Sequence, residues 1–275
     1  MKLSNYTFSK TKLNFAENFY NKNGFAIIKS FFNKTVIQKI KREIKKKIKE
    51  KNNFFYYEKI NGKLKLRRIE KISDYSNKSR EIIFSKRISK LIYKFEKKKF
   101  ALFKDKLNFK YPGGQGYVPH IDGHFFWKDK NNNYQDGWKK YSDRFISIIL
   151  PLDNSNIQNG CMYLANKNDT KKNLGSNFKQ ITKKLIINTP NLKKKDEKKF
   201  KFFPIQMKMG DICLFDWKCA HMSKKNISKS KNNFRMLFIL TYCVKRKSST
   251  NVRNQYYFGK LTSKNDLKNK SLLFQ

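Results

Sequence analysis

Acidic residues and histidine are both scarce in this chain. Twenty Asp and Glu stand against 64 Lys and Arg, and the 275 residues hold only three histidines. Cysteine is sparse too. Cys161, Cys213, Cys219 and Cys243 form no Cys-x-x-Cys pair, which argues against a metal ribbon or a thioredoxin-like redox motif. Their apolar surroundings are those of buried free thiols in a reducing compartment. No apolar run reaches membrane-spanning length, so no transmembrane helix is expected. The polar stretch after Met1 lacks the apolar core of a secretory signal. A cytoplasmic protein is the expectation.

What is present is enough for a folded protein. Apolar residues make up 39% of the chain and aromatics 15%, and a chain of this length can bury a substantial core. The formal charge of +44 raises the question of a nucleic-acid partner. Only nine of the 64 basic residues are arginine, the residue suited to bidentate phosphate and base contacts. The lysines run along nearly the whole chain rather than forming one stripe. Their abundance alongside Asn and Ile is what an AT-rich coding sequence would produce, so nucleic acid is not the expected partner.

The pattern divides the single expected domain into three parts. Residues 1–100 read as a helical N-terminal elaboration. Within it, Gly24–Ile28 reads as a short strand. Asn33 can cap a helix whose apolar face is Ile37, Ile40, Ile44 and Ile48, at spacings of three and four. Gly62 marks a turn, and a second helix is expected around 85–99, with Ile88, Leu91, Ile92 and Phe95 inward. From about residue 100 to 245 the pattern changes to short strands and turns: Ala101–Lys110, Phe145–Leu152, Gly160–Leu164, Gly210–Trp217 and Phe234–Val244. This predicts a mainly β core with flanking helices, arranged as a jelly roll, or double-stranded β-helix. Two long inserts, Gly123–Asp143 and Lys167–Phe203, are candidate binding loops. Residues 246–275 read as a polar tail.

The histidines carry the chemistry. His120 and Asp122 form a His-x-Asp triplet, and His221 follows about a hundred residues later. Two neutral imidazoles and one carboxylate make the facial triad that holds Fe(II) and leaves other positions open. Residues i and i+2 share a strand face, so His120 and Asp122 are predicted to point together from one strand. The second histidine is predicted to come from a strand packed opposite. Taken singly, each residue has a plainer reading: a surface turn pair for His120 and Asp122, a half-buried ring for His221, a structural ion pair for Arg235. Gly113-Gly114-Gln115-Gly116 lacks the Lys-Ser/Thr of a phosphate loop and reads as a turn.

Together these residues resemble a known family. Lys110-Tyr-Pro-Gly-Gly-Gln-Gly-Tyr-Val-Pro-His120-Ile-Asp122, then Leu150-Pro-Leu-Asp153, Asn159-Gly160-Cys161, Gly210-Asp211, His221-Met-Ser223 and Arg235 are similar to the phytanoyl-CoA dioxygenase branch of the Fe(II)/2-oxoglutarate oxygenases. The likeness is dense over roughly residues 100–245 and loose over 20–100. It implies iron held by His120, Asp122 and His221. It also implies 2-oxoglutarate gripped at its distal carboxylate by Arg235 and Ser223, with Asn108 and Lys104 as further cosubstrate contacts. His221 and Arg235 are fourteen residues apart, a few more than the family pattern, which predicts a loop extension within Lys229–Asn233. His124, Phe126, Trp127 and Trp138 are candidates for the substrate pocket, although aromatic residues of this kind also serve as packing.

The implied reaction consumes O₂, decarboxylates 2-oxoglutarate to succinate and CO₂, and hydroxylates a small molecule. Family halogenases replace the carboxylate ligand, so Asp122 favours hydroxylation. Some similar bacterial members oxidise small phosphonates, and a basic protein would suit an anionic substrate. The alternatives are an oxygenase or binding protein directed at nucleic acid, and a jelly roll without catalysis.

Overall fold

The computed structural model describes residues 2–48, 54–123, 126–128, 134–174, 192, 194–230, 233–245 and 251–262. Near the N-terminus, β1 (Thr7–Phe8), α1 (Leu13–Asn23), β2 (Phe25–Ile28) and α2 (Lys34–Lys47) are followed by the hairpin β3 (Phe55–Ile60) and β4 (Lys63–Glu70). Three helices come next, α3 (Ile72–Tyr75), α4 (Asn77–Ile83) and α5 (Lys86–Glu96). The central part runs β5 (Phe100–Lys110), β6 (Tyr117–His120), β7 (Phe126–Lys128), β8 (Tyr134–Asp136), β9 (Phe145–Pro151) and β10 (Met162–Leu164). After α6 (Lys167–Leu174) and α7 (Lys194–Glu197) come β11 (Phe203–Ile205), β12 (Ile212–Asp216), β13 (His221–Ser223), β14 (Arg235–Val244) and α8 (Val252–Thr262).

The strands form a major sheet in the order β1-β2-β12-β9-β14-β5-β4-β3 and a minor sheet in the order β11-β10-β13-β6. Packed face to face, these are the two layers of a jelly roll. The middle of the major sheet explains itself: β9 and β12 are buried at every position, as strands covered on both faces must be.

Period two then sorts the side chains. On the outer face, Leu107 and Phe109 of β5 and Met236, Phe238 and Leu240 of β14 join Ile37, Ile40, Ile44, Ile88 and Leu91 of α2 and α5 in one cluster. Between the sheets, Ile149, Cys213, Phe215 and Leu237 meet Met162, Leu164, Phe203 and Ile205. Lys104, Lys106, Asn108 and Lys110 alternate with the outer-face residues of β5, so they fall on the inner parity, where a purely structural barrel would carry apolar groups. That local break in binary pattern is a mark of a functional surface.

The expected helices form at the positions read from the sequence. The Asn33 side chain accepts a hydrogen bond from Thr35 N and caps α2, and Ser85 accepts from Ile88 N at the start of α5. The first hundred residues also do more than supply helices. β1 and β2 extend the major sheet beyond β12, while β3 and β4 extend it beyond β5. Asn61 and Gly62, with φ of 47° and 77°, give the two-residue turn that a twisted hairpin needs. The tail is not merely polar: α8 docks on β5, where Arg253 Nε donates to Asp105 Oδ1 at 2.8 Å. All four cysteines are buried, and none forms a disulfide among the described residues. Among the described residues, no helix is long and apolar enough to cross a membrane.

Candidate active site

β6 and β13 are neighbours in the minor sheet, and His120 pairs directly with His221 across them. The two rings therefore come from hydrogen-bonded strands of one sheet, not from strands packed opposite as the sequence predicts. Their centroids lie 4.1 Å apart. Asp122 also departs from expectation. β6 ends at His120, and residues 122–123 form a turn in which Gly123 takes a φ of 76°. A Cβ on Gly123 would come within 3.1 Å of the Trp138 ring, so this turn needs glycine on conformational and packing grounds. The turn, rather than a shared strand face, brings the carboxylate to the imidazoles. One donor atom from each of His120, Asp122 and His221 falls within 4.8 Å of the others.

Both imidazoles are held by backbone in the same way. His120 Nδ1 lies 2.8 Å from Val118 O, and His221 Nδ1 lies 3.1 Å from Cys219 O, each carbonyl two residues upstream. A carbonyl only accepts, so each Nδ1 carries the proton and each Nε2 presents a lone pair, the arrangement that metal-bound histidines need. The charge states fit as well. Burial, followed by the neighbouring His221, pushes the His120 pKa down to about 3, and burial lowers that of His221. For Asp122, burial opposes ionisation, but Lys104 and the two imidazoles outweigh it and hold the carboxyl at about 2. At neutral pH the set is two neutral rings and one carboxylate, the donor chemistry of an Fe(II) site.

A pH dependence follows for the metal-free protein. The histidines' folded pKa values lie below the unfolded value of about 6.5, so between the two the unfolded chain binds more protons and stability falls as pH drops. Above about 6.5 they contribute no slope. Thermal melts should therefore show a progressive loss of stability from about pH 6.5 towards pH 3, with Asp122 adding its share below about 3.8. The His221→Asn variant should show a shallower slope; an equal slope would mean that this ring is not held neutral.

The cleft beside the triad opens to solvent. Arg235, Ser223 and Asn108, the residues expected to contact the cosubstrate, line it. Arg235 is only 2% exposed, and its Nε and Nη1 have no hydrogen-bond partner among the described residues. A buried guanidinium without an acceptor is costly unless an anion completes it. Asn108 Oδ1 is likewise unpartnered. This is the environment that a cosubstrate carboxylate would complete, so the residues fit 2-oxoglutarate as well as iron. The long spacing between His221 and Arg235 is absorbed between Asn226 and Asn233, where Asn226 Nδ2 donates to Asn233 O at 2.9 Å. Lys231 and Asn232 of the predicted extension lie outside the described residues. The excursion returns Arg235 to β14 directly opposite Lys110 of β5.

The other predicted positions scatter. Lys104 is buried and acts on Asp122 through its charge; its Nζ sits 3.8 Å from the Trp138 ring centroid. It is not among the described residues that line the cleft. Trp138 is not a cleft residue either: it packs with Phe103 and Phe145, each at 5.2 Å between centroids. His124 lies outside the described residues, as does Phe125. Phe126 and Trp127 belong to β7, paired with Asp136 and Gln135 of β8, and their side chains are outside the described set.

Four residues without a predicted role line the cleft or support it: Arg68, Lys106, Tyr117 and Lys110. Arg68 stacks at 4.3 Å on Tyr56 and lies 3.1 Å from Glu70. Arg68, Lys106 and Tyr117 all border the cleft. A signal for the lysines was present in the alternation Lys104, Lys106, Lys110 along one strand. Arg68 gave none, because the β3–β4 hairpin was not predicted as part of the sheet.

The profile of the phytanoyl-CoA dioxygenase (PhyH) family matches residues 20–236. Among characterised proteins, the chain is 26% identical over 208 residues to the dioxygenase lolE1 of Epichloe uncinata, covering 75% of this chain and 70% of that protein. It is also 26% identical over 227 residues to a 2-aminoethylphosphonate dioxygenase of the uncultured bacterium HF130_AEPn_1, covering 80% and 77%. Among solved structures, the epimerase SnoN in complex with Fe3+, alpha ketoglutarate and nogalamycin RO superposes with a TM-score of 0.65 at 12% identity, covering 85% and 84%. That structural likeness speaks for the fold.

Proposed function

The chain belongs to the phytanoyl-CoA dioxygenase (PhyH) family, and from that premise we propose that it hydroxylates a small anionic molecule at the His120–Asp122–His221 site. It is an Fe(II)- and 2-oxoglutarate-dependent dioxygenase. When bound, iron and 2-oxoglutarate supply oxidative decarboxylation to succinate and CO₂, coupled to insertion of oxygen from O₂ into a C–H bond. The observation that carries the reading is the juxtaposition of the neutral-imidazole and carboxylate triad with the buried, unpartnered Arg235.

In this reading His120 and His221 offer Nε2 to iron, and their Nδ1–H groups are pinned by Val118 O and Cys219 O. Asp122 is the anionic ligand, kept ionised by Lys104. Arg235 grips the distal carboxylate of 2-oxoglutarate with two N–H groups, a task suited to a planar guanidinium, and Ser223 donates its hydroxyl to the same carboxylate. Asn108 contacts the cosubstrate from β5. Met162, Met222, Leu237 and Ile239 supply the apolar part of the wall and limit water. The anionic substrate is supported by Lys106 and by Arg68, which also pairs with Glu70, two further cations on the same wall, where Asp122 is the one acidic residue among the described lining residues. Relatedness to a 2-aminoethylphosphonate dioxygenase points the same way.

The test is succinate release with Fe(II), 2-oxoglutarate and O₂ across a panel of small phosphonates, carboxylates, amines and an acyl-CoA, with single-stranded nucleic acid as a separate arm. Stimulation by a small anion is expected. Substitution of Arg68 by Met should weaken the apparent affinity for that anion and leave the concentration dependence on the cosubstrate unchanged. Stimulation by amines or nucleic acid alone would overturn the proposed substrate class.

A further inference from the structure

Ser223 gives an inference that rests on the cosubstrate reading and goes one residue further. Its Oγ accepts two hydrogen bonds, from Lys110 Nζ at 2.8 Å and from Tyr117 N at 3.1 Å. A hydroxyl oxygen has two lone pairs and one proton. With both lone pairs occupied, the proton must point away from Lys110 and Tyr117, and Ser223 lines the cleft. No described residue accepts that proton.

Lys110 is itself held in place. It is 2% exposed, and its other two N–H groups go to Gly160 O at 3.1 Å and Lys224 O at 2.7 Å. Burial and the neighbouring Arg235 push its pKa well below the ordinary lysine value; in the ammonium form three donors meet three acceptors, which pins the Nζ beside Ser223. The neighbouring backbone is shaped around this contact. A Cβ at Gly160 would lie 2.9 Å from Lys110 Cδ and 2.4 Å from Lys224 O. A Cβ at Gly116 would fall 2.0 Å from Ser223 O, so glycine is what lets the start of β6 approach β13 closely enough for Tyr117 N to reach the hydroxyl. Two glycines of the sequence motifs, neither needed for metal binding, are thereby explained.

We propose that Lys110 is a positioning residue for the cosubstrate: by occupying a lone pair of Ser223 together with Tyr117 N, it locks the hydroxyl as a donor into the cleft beside Arg235. Lys110 does not touch the iron ligands and takes no part in the redox steps. It fixes the direction of one O–H bond from a position opposite Arg235 in the β5–β14 register. Preorganised donors of this kind bind without having to reorient.

Direct binding to the Ni(II)-loaded protein, measured by calorimetry without turnover, tests this. 2-Oxoglutarate would be compared with 2-oxopentanoate, which has the same chain and the keto acid but no distal carboxylate. Lys110→Met should weaken 2-oxoglutarate by roughly tenfold or more, the worth of one hydrogen bond to a charged group. It should change 2-oxopentanoate by less than about twofold. Ser223→Ala should do the same, and the double variant should be no weaker than the worse single one, because both act through one hydroxyl. Equal loss of both ligands, or fully additive losses, would make Lys110 a structural residue and overturn the proposal. Lys110→Gln, which keeps donors for the buried carbonyls, takes the place of Lys110→Met if the latter does not fold. Arg235→Met separates the two levels: if it leaves 2-oxoglutarate affinity unchanged, the cosubstrate reading itself fails. If it weakens binding while both Lys110 variants do not, only the role of Lys110 falls.

Discussion

His221→Ala is expected to bind no Fe(II) under anaerobic titration and to release succinate only at the background rate. The ring is 5% exposed and its Nδ1 proton is already committed to Cys219 O, so its removal deletes an aligned ligand rather than a mobile one. Two ligands, His120 and Asp122, then remain on one side of the site, too few for the facial set. The strand should survive the change. Met222 and Ser223 keep β13 paired with β10, and far-UV circular dichroism should match the parent. Iron bound at the parent's stoichiometry by this variant would show that the metal is held elsewhere.

Arg235→Met is expected to weaken 2-oxoglutarate binding by about a hundredfold, in both Kd and KM, close to 3 kcal/mol for a charge-assisted pair of hydrogen bonds. The rate at saturating cosubstrate should fall far less. A second effect has the opposite sign. In the ligand-free protein this guanidinium is buried with two unpartnered nitrogens, and burial lowers its pKa to about 10. That is a cost whenever no anion is bound. Methionine removes it, so the ligand-free variant should melt at a temperature equal to or above that of the parent, while 2-oxoglutarate should no longer raise its melting temperature. A variant that loses stability and affinity together would assign Arg235 to the core instead.

The elements legible from sequence were those with strong local signals. The isoleucine spacing of α2, the Asn33 cap and the apolar runs of β9, β12 and β14 each specify their own conformation, and their neighbours then follow from burying one face. The ligand residues were legible because histidine is so rare here that His120 and His221 stood out with Asp122 and Arg235. The β3–β4 hairpin was not legible as part of the major sheet. Its strands carry Lys59, Lys63 and Lys65, and their place beside β5 depends on pairings such as Arg68 with Asn108, remote in sequence. Arg68 entered the cleft by that route. The sequence left Trp138 open between pocket and packing, because an aromatic residue reads the same whether it lines a pocket or fills a core.

The sequence by itself determined the chemistry on offer: two histidines, a carboxylate, an arginine and a serine in an order that marks an oxygenase of this family, on strands whose alternation separates an inner from an outer face. Only the tertiary structure decided how they meet. Register across β6 and β13 sets His120 against His221. A glycine turn folds Asp122 back to them. The approach of β5, β13 and the Asn159-Gly160 turn places Lys110 on Ser223. These are contacts between residues tens to more than a hundred positions apart, and their geometry is fixed by sheet pairing and close packing, which no local pattern encodes.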